Sequence, residues 1–525
     1  MDIGTLVTRA GDRFADRVAV EGPEATRTFA ELAARVRRIA HGLAGLGLRP
    51  GDRVLDLQRN STTFLETDLA IRAGGYVRAA LNYRLHPSDW ERIARDSGAR
   101  ALIVADDLAQ TAAGVIEIVE VTVTSDELDA LIEATPDGPL APRNPDTLCG
   151  LHYSSGTTGA PKGAQRTHRN WLASVTNMTQ DVLGGPPDPD TDCYLHCGPI
   201  THTSGLFVLP FLVAGARQII QATFDPAEVV RAVQERGATH TAMVPTMVAR
   251  LLALPGMDRS ALASLKLLGY AGAPMPPEQM RAAFDRLTPN LVQYYGLVEA
   301  IPPVTVLDAE LHARGLAGDA DLLTSAGRPA LGVEIAVVDE SGSVLPAGET
   351  GEVITRGDHV MAGYFNAASR SDLGKSVVDG WLHTGDLGRL DAEGNLWLVD
   401  RKGDMIISGG YNIYPREVED VVAEVPGVHE VAVVGVQDPE WGQRVVALVT
   451  PAAGAEVTAL PGAVREHCAS RLAAYKKPKE VRVLASFPIG STGKISKKDL
   501  KAALNAEAAA SPGGGASAGQ GGAPQ

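Results

Sequence analysis

Strand-like apolar runs alternate with helical patterns along most of this chain. In residues 218–245 (QIIQATFDPAEVVRAVQERGATHTAMVP), a β-branched run leads into a helix that starts at Pro226, and a second apolar run follows. Alternation of this kind is typical of crossover connections between parallel strands. The sequence therefore predicts an α/β protein built on a largely parallel sheet.

The N-terminal region follows the same order. Apolar residues recur at helical spacing over residues 28–48, RPGDRV then turns the chain, and the strand-like segments VLDL and ALIV follow. Residues 331–355 differ, because IAVVDESGSVL and GEVITRG alternate strands with Gly-containing turns and predict a small β-rich subdomain. The large domain is expected to end near Asp400, which gives an N-terminal domain of residues 1–400.

Residues 401–505 are expected to form a small separate domain. The pattern predicts a helix from about Pro415, strands at VAVVGV and near Ala447, and a helix near Val464. About 100 residues suffice for an independent domain. Residues 506–525 consist mostly of Ala, Gly, Ser, Pro and Gln, which bury too little apolar area to offset the entropy of ordering. A disordered tail is expected there.

Charge and cysteine content restrict the functional class. The chain has 48 Lys and Arg against 63 Asp and Glu, a formal net charge of −15, so general nucleic-acid binding is disfavoured. Four cysteines without a CxxC pair indicate a reducing compartment, and the Cys/His cluster in residues 193–202 fits no zinc spacing. The N-terminus lacks a signal-peptide pattern, and the longest apolar run, residues 205–215, reaches about half a membrane span. A cytoplasmic protein without a membrane span is expected, with its oligomeric state open.

The densest chemical motif is YSSGTTGAPKGA, residues 153–164. Its Gly and Pro breakers and its hydroxyl side chains form a loop that can wrap phosphate oxygens, and Lys162 adds a mobile cation. A flexible linker is the alternative, but the strand-like LHY before the motif and the helix-like residues 169–175 after it argue against one. A Walker loop is disfavoured because its Gly-to-GlyLys spacing is absent here, and GSTGKIS from Gly490 fails the same test.

The motif resembles the phosphate-loop signature of the adenylate-forming superfamily, which includes acyl-CoA synthetases, peptide-synthetase adenylation domains and luciferases. Further segments resemble the motifs of this family in the same order: GPITHTSG from Gly198, GYAGAPMP from Gly269, YYGLVEA from Tyr294, GEVITRGD from Gly351, WLHTGDLG from Trp381, DRKGDMIISGGYNIYPREVE from Asp400 and PIGSTGKIS from Pro488. The resemblance covers about residues 28–500. It implies a large N-terminal domain of stacked α/β subdomains and a small mobile α+β C-terminal domain.

The resemblance also implies a nucleotide site. Asp386 would accept bonds from the ribose hydroxyls of ATP, Arg401 would reach the ribose or a phosphate, and Tyr295 would stack on adenine. Glu299 and Thr158 would hold Mg²⁺, a hard cation that demands oxygen ligands. The other implied nucleotide-binding positions are Ser154, Ser155, Gly156, Thr157, Gly159, Gly272, Ala273, Pro274 and Gly296. A surface-turn aspartate and a core tyrosine are the structural alternatives at positions 386 and 295.

The implied catalytic residues are Lys494, His202 and Lys162. Lys494 would bridge the carboxylate and the α-phosphate, where a positioned ammonium neutralises growing charge. His202 would lie near the carboxylate and the mouth of the pantetheine tunnel, which the Gly409–Gly410 turn would approach. A solvated lysine and a structural histidine are the alternatives for Lys494 and His202.

Two positions depart from the family pattern. Val298 stands where the family usually has a threonine that contacts the α-phosphate, so a hydroxyl is lost and slower adenylation is expected. Gly403 stands where the family commonly has Asp or Lys at the pivot between domains, so rotation stays easy while its endpoints are less defined.

Together these features predict an AMP-forming acyl-CoA synthetase that uses ATP, Mg²⁺ and coenzyme A. The resemblance places the acyl pocket at residues 202–207, 243–247, 270, 271 and 297–301. Apart from Glu299 these residues include no acid to hold an amino group, so a fatty, aromatic or terpenoid-like acid is favoured over an amino acid. Two alternatives stay open: a ligase that loads an acyl carrier protein or runs one half-reaction, and a nucleotide-binding regulator without turnover.

Overall fold

The computed structural model describes residues 1–154, 162–366, 377–408, 411–438, 441–489 and 495–510. Several predicted site residues lie outside these ranges, namely Ser155, Gly156, Thr157, Thr158, Gly159, Gly409, Gly410 and Lys494. By its internal contacts the chain divides into two compact units, Met1–Leu398 and Val399–Gln525.

The first unit combines helices with strands in alternation. Its helices are α1 (Ile3–Arg13), α2 (Phe29–Gly45), α3 (Thr62–Ala73), α4 (Pro87–Ser97), α5 (Asp106–Ala109), α6 (Ala113–Ile116), α7 (Ser125–Ala134), α8 (His168–Asn177), α9 (Val208–Ala214), α10 (Pro226–Arg236), α11 (Pro245–Leu252), α12 (Pro277–Arg286) and α13 (Ala309–Ala317). Its strands are β1 (Val18–Glu21), β2 (Thr26–Thr28), β3 (Arg53–Leu57), β4 (Val77–Ala80), β5 (Ala101–Val104), β6 (Val121–Thr124), β7 (Leu148–Ser154), β8 (Lys162–Thr167), β9 (Cys193–His196), β10 (Arg217–Ile220), β11 (His240–Met243), β12 (Leu267–Tyr270), β13 (Leu291–Tyr295), β14 (Thr305–Leu307), β15 (Arg328–Pro329), β16 (Glu334–Val338), β17 (Gly351–Arg356), β18 (Gly363–Tyr364), β19 (Val377–Val378), β20 (Trp381–Leu390) and β21 (Leu396–Arg401).

Helix α2 shows how local sequence specifies an element. Thr28 accepts from the backbone of Glu31, and the Glu31 side chain accepts from the backbone of Thr28, which forms a capping box. Phe29, Leu32, Val36, Ile39 and Leu43 are buried at helical spacing. The helix predicted over residues 28–48 is confirmed with shorter bounds, because Thr28 caps the helix from outside and Leu46 follows its last residue.

A nine-stranded sheet holds the central strands of the first unit. Its order is β15-β14-β13-β12-β11-β9-β10-β1-β2, and the run from β13 to β1 is parallel. Between β10 and β11 the chain forms α10, so the crossover predicted for residues 218–245 is confirmed. Leu195, Ile219 and Leu268, on three of these strands, are buried in one core cluster.

A seven-stranded sheet carries the phosphate-loop motif. Its order is β18-β8-β7-β4-β3-β5-β6. Strands β7 and β8 pair antiparallel, with Ser154 opposite Lys162 and Tyr153 opposite Gly163, so the two strands flank residues 155–161. The helix expected after the motif, at residues 169–175, is confirmed as α8, which begins at His168 with Thr167 as its N-cap. Strand β8 lies between the motif and this helix and was not predicted.

A five-stranded sheet forms the predicted β-rich subdomain. Its order is β16-β17-β20-β19, with β21 paired to β20. Asp386 was expected in a turn, but it lies within β20 at a bulge: Glu352 pairs with Leu387, whereas Ile354 pairs with His383. Gly385 has a φ of 70°, which glycine adopts without steric cost, so a bulge fits this position.

The second unit has its own sheet and core. Its elements are β22 (Ile406–Ser408), β23 (Tyr411–Ile413), α14 (Pro415–Ala423), β24 (Val428–Asp438), β25 (Gly442–Pro451), α15 (Leu460–Arg471), β26 (Glu480–Val483) and α16 (Lys497–Ala510). The sheet order is β23-β22-β25-β24, with β26 parallel to β25. Val418 and Val464, from α14 and α15, pack with Val433 in one buried cluster.

Helix α16 corrects the start of the expected tail. Residues 506–510 (AEAAA) are helical rather than disordered. Alanine has the highest helix propensity, so an alanine-rich segment readily continues a helix that has already begun. Residues 511–525 lie outside the described ranges. None of the described helices is long and apolar enough to cross a membrane.

Candidate functional site

Lys162 stands at the first position of β8, directly across the hairpin from Ser154. Its ammonium nitrogen lies 5.4 Å from the centroid of the Tyr364 ring, within the range of a cation–π contact. The hairpin is also anchored on its other strand, where the Tyr153 hydroxyl donates to Asp96 Oδ2 at 2.8 Å. The cation of the phosphate-loop motif is therefore held beside a tyrosine that is distant in sequence.

The same tyrosine contacts Glu299. The Tyr364 hydroxyl donates to Glu299 Oε1 at 2.8 Å across 65 positions of sequence. Tyr364 belongs to β18, which pairs with β8 at Ala164. The backbone of Met361 donates to the Glu299 carbonyl at 2.8 Å. Glu299 is therefore bonded to the segment around β18 through both its backbone and its side chain. The structure thus brings Lys162 to the ring and Glu299 to the hydroxyl of one tyrosine.

Asp386 and Tyr295 contact each other directly. The Tyr295 hydroxyl donates a short hydrogen bond to Asp386 Oδ2. Asp386 is buried, and its backbone nitrogen donates to the Thr384 hydroxyl at 3.0 Å within the bulge of β20. Tyr295 ends β13, so this contact joins the nine-stranded sheet to the five-stranded one.

Gly272, Ala273 and Pro274 follow the end of β12, and Gly296 follows the end of β13. These strands are parallel neighbours, with Tyr270 opposite Gln293, so both segments lie at one edge of the sheet. Gly272 has a φ of 87°, and residues 272–274 are exposed. A Cβ on Gly296 would lie 2.9 Å from the Pro302 Cα, so only glycine fits there without displacing backbone. The exposed segment 272–274 and Gly296 therefore lie at the same sheet edge as Tyr295.

His202 is exposed and precedes a short 3₁₀ turn, Thr203–Phe207. The Asn82 side-chain nitrogen lies 2.9 Å from His202 Nε2, and Asn82 itself is buried. His152, on β7, lies near this pair. Burial, followed by the charges of Arg166 and Arg78, lowers the pKa of His152 well below its usual value. His152 is therefore neutral at physiological pH.

Val298 keeps one polar contact through its backbone. The Arg166 guanidinium donates from Nη2 to the Val298 carbonyl at 2.9 Å. The Val298 side chain is half-buried and has no hydroxyl, so it cannot donate the hydrogen bond that the threonine of the family pattern would donate.

Strand β21 crosses the boundary between the units at Leu398, so its last residue, Arg401, belongs to the second unit together with Gly403, and both residues are exposed. The Arg401 backbone nitrogen donates to Asp400 Oδ1 at 2.7 Å, and Asp400 Oδ2 accepts from the Arg416 backbone at 2.9 Å. A Cβ built on Gly403 would meet no heavy atom within 4 Å, and its φ lies outside the left-handed region. The geometry at this position therefore does not require glycine.

The Cys/His segment forms separate contacts. His196 is hydrogen-bonded to Ser204 and to Gln218, each at 2.9 Å, and Cys197 Sγ lies 3.2 Å from the Thr241 hydroxyl. Burial raises the pKa of Cys197 to about 11, which keeps the thiol protonated. Over the described ranges, no group of three or more His, Cys, Asp or Glu side chains could hold a metal ion.

Three contributing residues were missed from the sequence: Tyr364, Arg166 and Asn82. Tyr364 stands in the segment GYFN, and Arg166 and Asn82 lie in or next to strands. No local pattern marks them, because their contacts to Glu299, Val298 and His202 span 65, 132 and 120 positions.

Known proteins resemble this chain in sequence and in fold. The model of the AMP-binding enzyme family matches residues 7–365, and that of the AMP-binding enzyme C-terminal domain matches residues 417–494. A feruloyl-CoA synthase from Amycolatopsis sp is 38% identical over 90% of this chain and 93% of its own length. A medium/long-chain-fatty-acid–CoA ligase of Mycobacterium tuberculosis is 34% identical over 90% of this chain and 85% of its own. The crystal structure of ATP-bound MatB from Rhodopseudomonas palustris superimposes with a TM-score of 0.86 at 28% identity, covering 96% of this chain and 99% of that one.

The family models cover most of the chain, and the two sequence relatives are both more than 30% identical over nine-tenths of it. The resemblance predicted from the motifs is confirmed, as is the predicted architecture of a large α/β unit followed by a smaller one. The chain belongs to the AMP-binding enzyme family, the adenylate-forming superfamily of acyl-CoA synthetase-like proteins.

Proposed function

We propose that this chain is an AMP-forming acyl-CoA synthetase. A carboxylic acid attacks the α-phosphate of ATP to give an acyl-adenylate and pyrophosphate, and the thiol of coenzyme A then takes the acyl group and releases AMP. The observation that carries the proposal is the chain of contacts Lys162–Tyr364–Glu299 and Tyr295–Asp386. Within the first unit, Lys162 supplies a cation and Glu299 a carboxylate for a metal ion. Tyr295 supplies a flat ring, and Asp386 a carboxylate that can accept hydrogen bonds from hydroxyl groups.

The nucleotide half of the site is built from Tyr295 and Asp386. In the proposal, the ring of Tyr295 stacks on adenine beside Gly272–Pro274, while the Asp386 carboxylate accepts from the two ribose hydroxyls. Because Asp386 is buried and already oriented by the Tyr295 hydroxyl, it needs little reorganisation when ribose binds. We also propose that the guanidinium group of Arg401, in the second unit, donates hydrogen bonds to the ribose or to a phosphate, since its N–H groups point in fixed directions.

Glu299 fits the demands of Mg²⁺. Such ions are usually held by one or two carboxylates together with substrate phosphates and water, so a full protein cage is not required. Glu299 is half-buried, and one of its oxygens is oriented by Tyr364. Bound there, Mg²⁺ would shield charge on the phosphates. We propose Glu299 and Thr158 as its protein ligands, and Lys162 with the hydroxyls of residues 154–159 as the donors to the phosphate oxygens.

The reacting groups are assigned to Lys494 and His202. Lys494 offsets the charge where carboxylate and phosphate meet, and His202, oriented by Asn82, lies beside the acid. Gly409 and Gly410, which carry no side chain that could obstruct a thiol, are proposed to line the path of the pantetheine arm. We further propose that residues 1–400 and 401–505 are the two functional domains, and that Gly403 is the pivot between the two half-reactions.

The acid is proposed to be apolar, with an aromatic acid favoured. Phe207, in the predicted acyl segment, is fully buried and stacks on Tyr194 with ring centroids 4.5 Å apart. Met243 is buried, and Met247 packs against the same core cluster. An apolar wall of this kind favours ring or chain carbon over charge. The name of the feruloyl-CoA synthase relative supports the same substrate class.

The test is a pyrophosphate-release assay with a panel of aromatic, fatty and amino acids, with and without coenzyme A. We expect release with an aromatic or fatty acid, stimulation by coenzyme A, and no release with amino acids. Lys494→Ala is the control: it should abolish ATP–pyrophosphate exchange yet form thioester from a supplied acyl-adenylate. Stimulation only by an acyl carrier protein would favour the carrier-loading alternative, and no release with any acid would refute the proposal.

A further inference from the structure

Arg78 and Arg166 flank a glycine on one face of the seven-stranded sheet. Arg78 on β4 pairs with Gly150 on β7, and Gly150 pairs with Arg166 on β8. Side chains in one such row project to the same face of a sheet. Gly150 contributes no side chain between the two arginines, and the His152 ring of the same strand approaches this space, with Nε2 3.4 Å from where a Cβ on Gly150 would stand. The row lies on the strands that carry Lys162 and the phosphate-loop motif.

These arginines belong to a buried cluster with an excess of positive charge. Arg78 Nε lies 2.6 Å from Asp68 Oδ1 and 3.5 Å from Asp56 Oδ2, and Arg72 forms a short ion pair with Asp68. All four side chains are buried. The cluster therefore holds two carboxylates against the guanidinium groups of Arg72, Arg78 and Arg166.

Arg166 is the member of this cluster that contacts Val298–Glu299, here called the metal-binding turn because Glu299 is the proposed ligand of Mg²⁺. It is 5% exposed, and its guanidinium lies over the Trp171 ring at 5.6 Å. Burial lowers its pKa to about 9, and the charge of Glu299 is the strongest influence in the opposite direction. Arg166 is thus still charged at neutral pH, and Glu299 is the carboxylate that acts on it most.

The contact with the turn is direct. Arg166 Nη2 donates to the Val298 carbonyl at 2.9 Å, so a buried cation stands behind the peptide that precedes Glu299. Met361 donates to the Glu299 carbonyl and Tyr364 to the Glu299 carboxylate, each at 2.8 Å. Three donors therefore hold residues 298 and 299, and Arg166 is the charged one among them.

We propose that Arg166 is a positioning residue for the metal-binding turn. Its guanidinium holds the Val298 carbonyl and offsets the charge of Glu299, and so determines where the Glu299 carboxylate stands when Mg²⁺ and ATP bind. The inference rests on the proposed role of Glu299. Residues that orient a metal ligand in this way change metal affinity by about 10–100-fold when they are replaced.

The test compares Arg166→Lys and Arg166→Met with Arg72→Lys. Arg72 lies over the same Trp171 ring at 4.7 Å and bonds to Asp68, on its own helix, so its replacement perturbs the cluster without touching residues 298 or 299. Calorimetry measures binding of an ATP analogue with a methylene between the α- and β-phosphorus atoms over a range of Mg²⁺ concentrations. Electron paramagnetic resonance measures Mn²⁺ binding to the same complexes. Melting temperatures report folding.

We expect the Mg²⁺ concentration for half-maximal analogue binding to rise about tenfold in Arg166→Lys and up to about 100-fold in Arg166→Met, with Mn²⁺ binding weakened in parallel. Arg72→Lys should stay within about twofold of the unaltered protein. If Arg166→Met does not fold, Arg166→Lys carries the test. Equal Mg²⁺ dependence in Arg166→Lys and Arg72→Lys overturns the inference alone, whereas analogue binding that ignores Mg²⁺ in the unaltered protein overturns the role of Glu299 as well.

Discussion

The hydrogen bond from Tyr295 to Asp386 links two side chains that lie in different sequence motifs of the family. Tyr295 is proposed to contact the base and Asp386 the ribose, and the bond crosses 91 positions of sequence. A hydroxyl that donates to a carboxylate restricts the rotation of both groups. The contact therefore pre-organises the face on which base and sugar bind.

Tyr295→Phe keeps the ring and removes only the donated hydrogen bond. Such a bond to a charged group contributes about 1.5–3 kcal/mol, so we expect the KM for ATP to rise about tenfold or more. The KM values for the acid and for coenzyme A should change little. Steady-state kinetics with each substrate varied in turn measures this.

Tyr294→Phe is the matched control for that substitution. The Tyr294 hydroxyl is buried and has no hydrogen-bond partner among the residues that the structure describes. Its removal should leave the KM for ATP unchanged. Equal shifts in both variants would show that the hydroxyl of Tyr295 has no specific role in nucleotide binding.

At the scale of elements, the hairpin of β7 and β8 arranges much of the site. Strand β8 begins with Lys162, carries Arg166, and pairs with β18, where Tyr364 stands. Its sequence, KGAQRT, has no aromatic residue, and Thr167 at its end is its one β-branched residue, so local composition favours a strand only weakly. Pairing with β7 and β18 supplies the hydrogen bonds that local propensity does not, which is why the sequence alone did not reveal this strand.

The turn at Gly403 allows a direct test of what glycine contributes there. Because Gly403 has open space and no left-handed φ, Gly403→Ala should raise the free energy of unfolding of the second unit by about 0.4–1 kcal/mol, chiefly by restricting the unfolded chain. Hydrogen exchange of the β24 and β25 amides in the full chain, read by mass spectrometry, measures this change.

Gly454→Ala is the control in the same unit. Gly454 also has open space, but its φ is 81°, so alanine there is strained and should be destabilising. If Gly403→Ala lost as much protection from hydrogen exchange as Gly454→Ala, the conclusion that Gly403 has a φ that alanine can adopt would be wrong.

At the scale of the whole molecule, buried neutral histidines couple the stability of the first unit to pH. His196, His312 and His359 are fully buried in different parts of the unit, and burial lowers the pKa of each to about 4 from a usual 6.5. Above pH 6.5 neither the folded nor the unfolded state binds these protons. Between pH 6.5 and 4 the unfolded state binds them first, so each histidine lowers the free energy of unfolding as the pH falls.

His312→Gln isolates one of these contributions. The ring of His312 lies 2.8 Å from the Tyr270 hydroxyl and 2.7 Å from the Asp308 carbonyl, so its replacement is destabilising at pH 7. We expect that penalty to shrink by on the order of 3 kcal/mol at pH 4, because the variant no longer has this group to protonate on unfolding. Chemical denaturation at both pH values measures the difference.

A core substitution without a titrating group provides the comparison. Leu268→Ala removes fully buried apolar volume, and its penalty should be the same at pH 7 and pH 4. If the penalty of His312→Gln also stayed constant between these pH values, burial would not hold this imidazole neutral in the folded state.

Much of the fold was predictable from local patterns. Helical spacing of apolar residues marked α2, and a proline at the start marked α10. A β-branched run marked β10, and strand-like apolar segments marked β3, β5 and β11, because these signals depend only on residues close in the chain. The bulge at Asp386, strand β8 and the helical residues 506–510 were not predicted, since each depends on pairing or on continuation of a neighbouring element.

For the site, the sequence by itself determined the chemical inventory: a hydroxyl-rich loop with Lys162, the carboxylates Glu299 and Asp386, and the ring of Tyr295. Only the tertiary structure decided which of these groups meet, and it added Tyr364 and Arg166 as the side chains that join or orient them. The physical reason is that residue types follow from composition and spacing, whereas contacts between strands depend on sheet register and packing between segments far apart in the chain.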